Sequence, residues 1–102
     1  MRRRVVAFVP DLMDRSKFGL GPDRPTFVLK VADLGATPAD LVFVDLSRAG
    51  ALEAAAACQG RVIGFASHVD DATLERASAA GVEAYPRSVF FRRLAGWLAE
   101  AD

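Results

Sequence analysis

The stretch LVFVDLS, residues 41–47, decides the fold, because it is an apolar run that ends in a carboxylate where a turn begins. Three other runs have the same form, namely VVAFVPD at 5–11, VIGFASH at 62–68 and AYPRS at 84–88. Strands buried on both faces of a parallel sheet are continuously apolar, and such sheets bind ligands beyond the carboxyl ends of their strands. We therefore expect any chemistry of this chain at six residues: Asp11, Asp45, Ser67, His68, Arg87 and Ser88.

Length and composition restrict the class of protein. The chain has 102 residues, is 52% hydrophobic and carries a formal net charge of zero, which predicts one domain spanning 1–102. A balanced charge lacks the basic face typical of nucleic-acid binding. A single cysteine and a single histidine exclude a zinc site with Cys and His ligands. No apolar stretch approaches the ~20 residues that cross a bilayer, so we predict no membrane contact and a cytoplasmic location.

Strand-like and helix-like segments alternate along the whole chain. Strands are predicted near 4–9, 26–31, 40–45, 61–66 and 83–86. This alternation implies right-handed crossovers between parallel strands and helices on both faces of the sheet. The predicted fold is therefore a three-layer α/β sandwich around a five-stranded parallel sheet with the first strand in its interior.

The helix signals differ in strength. The first helix is short and ends by Gly19, and Gly35 and Pro38 leave room for only a turn or two in the second crossover. The last helix follows Ser88 and carries an apolar stripe that docks on the sheet: Phe90, Phe91, Leu94, Trp97 and Leu98. Helix N-caps are predicted at four positions: Asp11, Ser47, Asp70 and Ser88.

A family resemblance follows from these features. Strand and helix alternate five times, Asp45 ends the third strand, Ser67 follows the fourth, and Ala80-Gly81 leads into a strand that contains Tyr85. Together they resemble the receiver domain of bacterial response regulators, the CheY-like superfamily. The resemblance implies a flavodoxin-like fold with strand order 2-1-3-4-5.

The resemblance also implies roles for individual residues. It makes Asp45 the phosphoacceptor-like residue, and it makes Asp11 and Asp14 the acids that hold Mg²⁺ if receiver chemistry is retained. It makes Ser67 the switch-like hydroxyl that contacts phosphoryl oxygens. On this hypothesis Mg²⁺ is the only cofactor to expect.

Two departures from the receiver pattern weaken this chemistry. Receivers have two adjacent acids after the first strand, whereas here Pro10 precedes Asp11 and the next acid is Asp14. The lysine expected after the fifth strand is absent, and either Ser88 or Arg87 takes its place. We therefore expect a degenerate receiver with weak or no phosphoacceptor activity.

Arginines converge on the same edge of the predicted sheet. Arg15, Arg48 and Arg87 are expected near Asp45, where they form either an ion-pair network or an anion pocket. Enough carboxylates are available for a network: Asp11, Asp14, Asp45 and Asp70. The full set of residues expected at this anion or ion-pair edge is Arg15, Arg48, His68, Arg87 and Ser88.

Two functions from different classes remain open. One is a stand-alone signalling or protein-interaction module. For it, the receiver resemblance implies a contact with a partner or a second copy through the fourth helix, fifth strand and fifth helix, and the candidate contacts there are Phe90, Phe91 and Trp97. The alternative is a small anion- or metabolite-binding protein. An enzyme is not predicted, because Ser67, His68 and Asp70 lack the sequence context of a nucleophile elbow.

Overall fold

A computed structural model describes residues 3–21 and 24–100. The strands are β1 (Val5–Phe8), β2 (Thr26–Phe27), β3 (Leu41–Asp45), β4 (Arg61–Ala66) and β5 (Glu83–Pro86). The helices are α1 (Leu12–Ser16), α2 (Asp33–Ala36), α3 (Ala51–Ala57), α4 (Asp71–Ala79) and α5 (Arg87–Ala99).

All strand pairings are parallel, and the strand order is β2-β1-β3-β4-β5. This is the order expected of the flavodoxin-like fold, and it confirms that prediction. The register aligns the carboxyl ends, since Phe8 pairs with Val44 and Asp45 pairs with Phe65. The turns that follow β1, β3 and β4 therefore lie at one edge of the sheet.

Alternate side chains of the central strands pack into two separate hydrophobic cores, one on each face of the sheet. Val42 and Val44 of β3 face a core that contains Leu34 of α2 and Leu52 of α3. Phe43 faces the opposite core, which is built with other aromatic residues: Phe18, Phe65, Phe90 and Trp97. Period-2 alternation along an entirely buried strand thus places helices on both faces of the sheet.

The second strand is much shorter than the predicted 26–31. Only Thr26 and Phe27 pair with β1, and one further bond runs from the Val28 amide to the Ala7 carbonyl at 2.9 Å. Leu29 is exposed, so the chain beyond Val28 has left the buried surface that would stabilise a longer strand. The apolar composition of 26–31 was therefore a misleading signal.

Two of the four predicted N-caps are confirmed. The carboxylates of Asp11 and Asp70 accept from the amides of Asp14 and Thr73, at 3.0 and 3.2 Å. Ser47 does not cap α3, because Gly50 with φ 77° precedes that helix.

The predicted cap at Ser88 is also wrong. The fifth helix begins at Arg87 directly after Pro86, so Ser88 already lies in its first turn. Pro86 supplies no side-chain cap, and its extended backbone, with ψ 146°, ends β5 and turns the chain into α5.

The apolar stripe of α5 packs on the sheet. Phe90 is 0% exposed and Trp97 is 7% exposed, which confirms the docking of this helix. The same burial contradicts their prediction as interaction-face residues, because Phe90 has no exposed surface and Trp97 has little. Phe91 is half-buried at the edge of the stripe and contacts Phe65, with ring centroids 5.1 Å apart.

Candidate functional site

Three carboxylates, Asp11, Asp14 and Asp45, lie at the carboxyl end of the sheet, and we call them the acidic rim. Asp45 ends the central strand β3 and is 4% exposed. Its Oδ1 accepts from the amide and the hydroxyl of Ser47, at 3.0 and 2.6 Å. Its Oδ2 lies 3.5 Å from Nε of Arg48. A buried carboxylate needs such partners, and Asp45 finds them within three residues of its own position.

Asp14 is the other buried carboxylate. It lies on α1, is 2% exposed and accepts from both terminal nitrogens of Arg87, the Nη1 to Oδ2 distance being 2.8 Å. The two residues are 73 positions apart, so this fork-shaped contact joins α1 to the start of α5. Lys17 adds a second cation, with Nζ 3.8 Å from Oδ1. Bidentate geometry of this kind fixes the orientation of the guanidinium and holds its positive charge against the carboxylate.

Asp11 is the exposed member of the acidic rim. Its carboxylate accepts from the amide of Asp14, and this hydrogen bond is the main reason that the pKa of Asp11 is lowered. The positive charges of Arg87 and Arg48 lower that pKa further. Asp11 is therefore ionised at neutral pH, and one of its carboxylate oxygens caps α1.

Arg87 lies at the centre of these charges. Its pKa is raised, chiefly by the hydrogen bond to Asp14, with attraction from Asp14, Asp45 and Asp11 also contributing. Its guanidinium carbon lies 5.5 Å from the ring centre of Phe65 and 5.4 Å from that of Phe91. Two aromatic rings and a bidentate carboxylate thus hold a permanently charged group in one orientation.

The rim does not provide the ligands that Mg²⁺ requires. Both oxygens of Asp14 are taken by Arg87, and Asp11 is used as a helix cap. Within 3–21 and 24–100, no three His, Cys, Asp or Glu side chains are grouped closely enough to hold a metal ion. Mg²⁺ needs free carboxylate oxygens in near-octahedral geometry. The roles of Asp11 and Asp14 as metal ligands, implied by the resemblance, do not fit this arrangement.

A small cleft lies beside Asp45. Its volume is about 200 Å³, and its lining includes Ser47, Ser67, His68 and Arg87. Ser67 and His68 are exposed, and the Ser67 hydroxyl accepts weakly from the amide of Val69 at 3.4 Å. Since the Asp70 carboxylate caps α4, Ser67, His68 and Asp70 do not form a nucleophile-base-acid chain. Ser88 is exposed and is not among the residues that line the cleft.

Two of the three predicted arginines, Arg48 and Arg87, lie near Asp45, and Arg15 does not. Arg87 and Arg48 pair with Asp14 and Asp45, whereas Arg15 donates to the Val9 carbonyl at 2.6 Å. Arg15 also lies over the Phe27 ring at 5.3 Å, which turns it toward β2 and away from Asp45. The arrangement around Asp45 is an ion-pair network, and this disfavours the alternative of an anion pocket.

Sequence reasoning missed two participants in this network. Lys17 was not assigned to the site, although its spacing of three from Asp14 on a helix is the signal for such a pair. Ser47 was assigned to a helix cap, although an Asp-x-Ser sequence at a strand end equally allows the hydroxyl to donate back to the carboxylate.

Comparison with known proteins agrees with the fold. A structure described as the crystal structure of a response regulator from Hahella chejuensis matches with a TM-score of 0.64 and 16% sequence identity. The match covers 95% of this chain and 92% of that chain. No protein-family model and no curated protein matches. The chain therefore shares the fold of this response regulator, and its strand order is the flavodoxin-like order that the sequence predicted.

The length of the helices bears on membrane contact. Among the helices in the described part of the chain, none is both long enough and apolar enough to span a bilayer.

Proposed function

We propose that this chain is a non-catalytic, receiver-like signalling or protein-interaction module with weak or no phosphoacceptor activity. The receiver fold supports the class of function. The fork-shaped contact between Arg87 and Asp14 is the observation that supports weak or no phosphoacceptor activity. Phosphoryl chemistry would need this acid and this cation, and here both are engaged in an internal ion pair.

Asp45 itself is poorly prepared to attack a phosphoryl donor. Two hydrogen bonds from Ser47 hold Oδ1, and Arg48 lies against Oδ2. Donors that stabilise the ground-state carboxylate reduce its nucleophilicity, and only groups that bind the transition state more strongly would compensate. The rim is poorly arranged to hold a divalent ion that would stabilise the developing charge, because both oxygens of Asp14 are engaged by Arg87.

Intact mass after incubation with acetyl phosphate and Mg²⁺ tests this proposal. We expect no more than a few per cent of the wild type to gain a phosphoryl group. Asp45→Asn is the matched control, because it is nearly isosteric and removes the acceptor. Stoichiometric mass gain by the wild type that is lost in Asp45→Asn would show that the module is a working phosphoacceptor.

We place the partner contact on α4, β5 and α5, with different residues from those that the sequence suggested. All four residues of β5 are half-buried, and β5 is an edge strand of the sheet. The guanidinium of Arg93 lies 5.4 Å from the ring centre of Tyr85, so α5 and β5 present a joint polar and aromatic surface. Tyrosine and arginine are the residue types most often found at the centre of protein interfaces.

Sedimentation over a wide concentration range and capture from the native cell extract test this surface. We expect self-association or a specific captured partner with the wild type, and its loss in Arg93→Glu. Lys30→Glu, an equal change of charge at an exposed residue in the loop after β2, serves as the control. A wild type that stays monomeric and captures nothing, or an equal loss in both variants, would contradict the placement.

A further inference from the structure

We infer that the guanidinium of Arg87 is the resident cation of the acidic rim, so that the rim stays in one state whether or not Mg²⁺ is present. This inference rests on the proposed function and adds a statement about regulation. The module is not switched by a divalent metal, because the positive charge that the rim requires is part of its own chain.

The balance of charge is the first argument. The acidic rim has three carboxylates, and three cations are arranged around it: Arg87, Arg48 and Lys17. The cluster is therefore neutral as folded. A divalent ion entering it would add two positive charges and displace hydrogen bonds already made to the carboxylates. Mg²⁺ also gives up its water reluctantly, so it gains little from such a site.

The immobility of Arg87 is the second argument. Its guanidinium is fixed by both oxygens of Asp14 and by the rings of Phe65 and Phe91. Asp14 is 2% exposed, so it has no water to replace a lost partner. Breaking this contact leaves the buried charge of Asp14 with only the longer 3.8 Å contact to Lys17, which is costly for a carboxylate held away from water. The guanidinium thus cannot make room for a metal without that penalty.

The first experiment uses the unaltered protein. Thermal unfolding is followed while MgCl₂ is raised to about 20 mM, with NaCl matched in ionic strength, and Mn²⁺ is added during recording of the ¹H–¹⁵N spectrum. We expect equal unfolding temperatures in the two salts, as the ligand linkage relation requires of an ion that does not bind. We also expect no selective broadening of the amides at 45–48. Saturable stabilisation by Mg²⁺, or selective broadening by Mn²⁺, would overturn the inference.

A double-mutant cycle tests the role of the guanidinium. Arg87→Gln should lower the unfolding temperature by at least about 4 °C, because Asp14 loses its bidentate partner and keeps only the longer contact to Lys17. Asp14→Asn in the same chain should restore a large part of that loss, since the buried charge is then gone. Arg48→Gln is the control, because the Arg48 side chain is exposed to the same extent as that of Arg87, 47% against 45%, but makes a single long contact of 3.5 Å. Additive losses in the double variant would contradict the inference.

The two proposals fail in different ways. A wild type that binds Mg²⁺ saturably but gains no phosphoryl group would overturn this inference and leave the proposed function standing. A wild type that is insensitive to Mg²⁺ in both assays yet becomes phosphorylated would overturn the proposed function and leave this inference standing.

Discussion

The first third of the chain and the remainder fold by different means. Between β1 and α2 the elements are short, with five residues in α1, two in β2 and four in α2. From β3 onward every strand has at least four residues and every helix at least seven. Most of the exposed large apolar side chains also belong to the first third: Leu12, Met13, Leu20 and Leu29.

This difference shows which forces hold each region. The later region buries continuous apolar strands under longer helices, so burial of apolar surface contributes most of its stability. The early region is held by particular contacts, namely the Asp11 cap, the Asp14 pair with Arg87, and Phe18, which inserts among Phe27, Phe43 and Phe91. Polar contacts that attach the weaker region therefore also build the candidate site.

The largest contrast should come from removing one apolar side chain in each region. Phe90→Ala should lower the free energy of unfolding by about 3–5 kcal/mol, because Phe90 is wholly buried among the rings of Phe43, Phe65 and Trp97. Leu20→Ala should change it by less than about 0.5 kcal/mol, because Leu20 is 92% exposed. Urea unfolding measures both values. Equal costs would show that the two regions are packed alike.

Two glycines with similar backbones sharpen the comparison. Gly19 and Gly60 have φ of 75° and 90°, a conformation that costs other residues about 1–2 kcal/mol. A Cβ at Gly19 meets nothing, whereas one at Gly60 would lie 2.7 Å from the Ala39 carbonyl oxygen and 2.9 Å from that of Asp40.

Gly60→Ala should therefore cost about 1–3 kcal/mol more than Gly19→Ala, because backbone atoms cannot move aside cheaply. The measurement is again urea unfolding of both variants beside the wild type. If Gly19→Ala were the more damaging change, the early region would be the more tightly packed of the two.

A smaller effect is expected from the ion pair that joins β4 to β5. Arg61 donates to both oxygens of Glu83, at 2.6 and 2.9 Å, and this hydrogen bonding lowers the pKa of Glu83 from its usual 4.5. A lowered carboxyl pKa contributes stability above pH 4.5 that is lost as the pH falls through the folded-state value.

Glu83→Gln should therefore destabilise by no more than about 1 kcal/mol at neutral pH, since both side chains are 38% exposed. The difference from the wild type should shrink as the pH falls below 4.5 and vanish once Glu83 is protonated in both the folded and the unfolded state. Unfolding midpoints measured across pH check this. A difference that persisted in acid would mean that Glu83 acts through packing.

Much of the fold could be predicted because apolar runs identify buried parallel strands without further context. The second strand could not, since residues 28–31 have the same composition as a strand and only tertiary contacts show that Leu29 is exposed. On α5, periodicity identified the stripe but not which of Phe90 and Phe91 lies at its edge. Neighbouring residues on a helix point about 100° apart, so the docking of α5 against the sheet decides which of the two phenylalanines is buried.

The acids and the serine at the strand ends were predictable from the sequence, whereas the ion pairs and several of their members were not. The strand ends brought Asp11, Asp45 and Ser67 to one edge as expected. The partner of Arg87 was not predictable, because Asp14 lies 73 positions away and a guanidinium can reach any of several carboxylates. A contact of that kind depends on where a five-residue helix settles, and local sequence does not determine that position.

The most direct test of the account is the arginine side-chain ¹H–¹⁵N spectrum of the protein with and without Mg²⁺. A guanidinium held on both oxygens of Asp14 should give resolved Arg87 signals that are unchanged by Mg²⁺ and absent in Asp14→Asn. Arg87 signals averaged like those of a free arginine, or displaced when Mg²⁺ is added, would contradict the claim that the acidic rim carries its own cation.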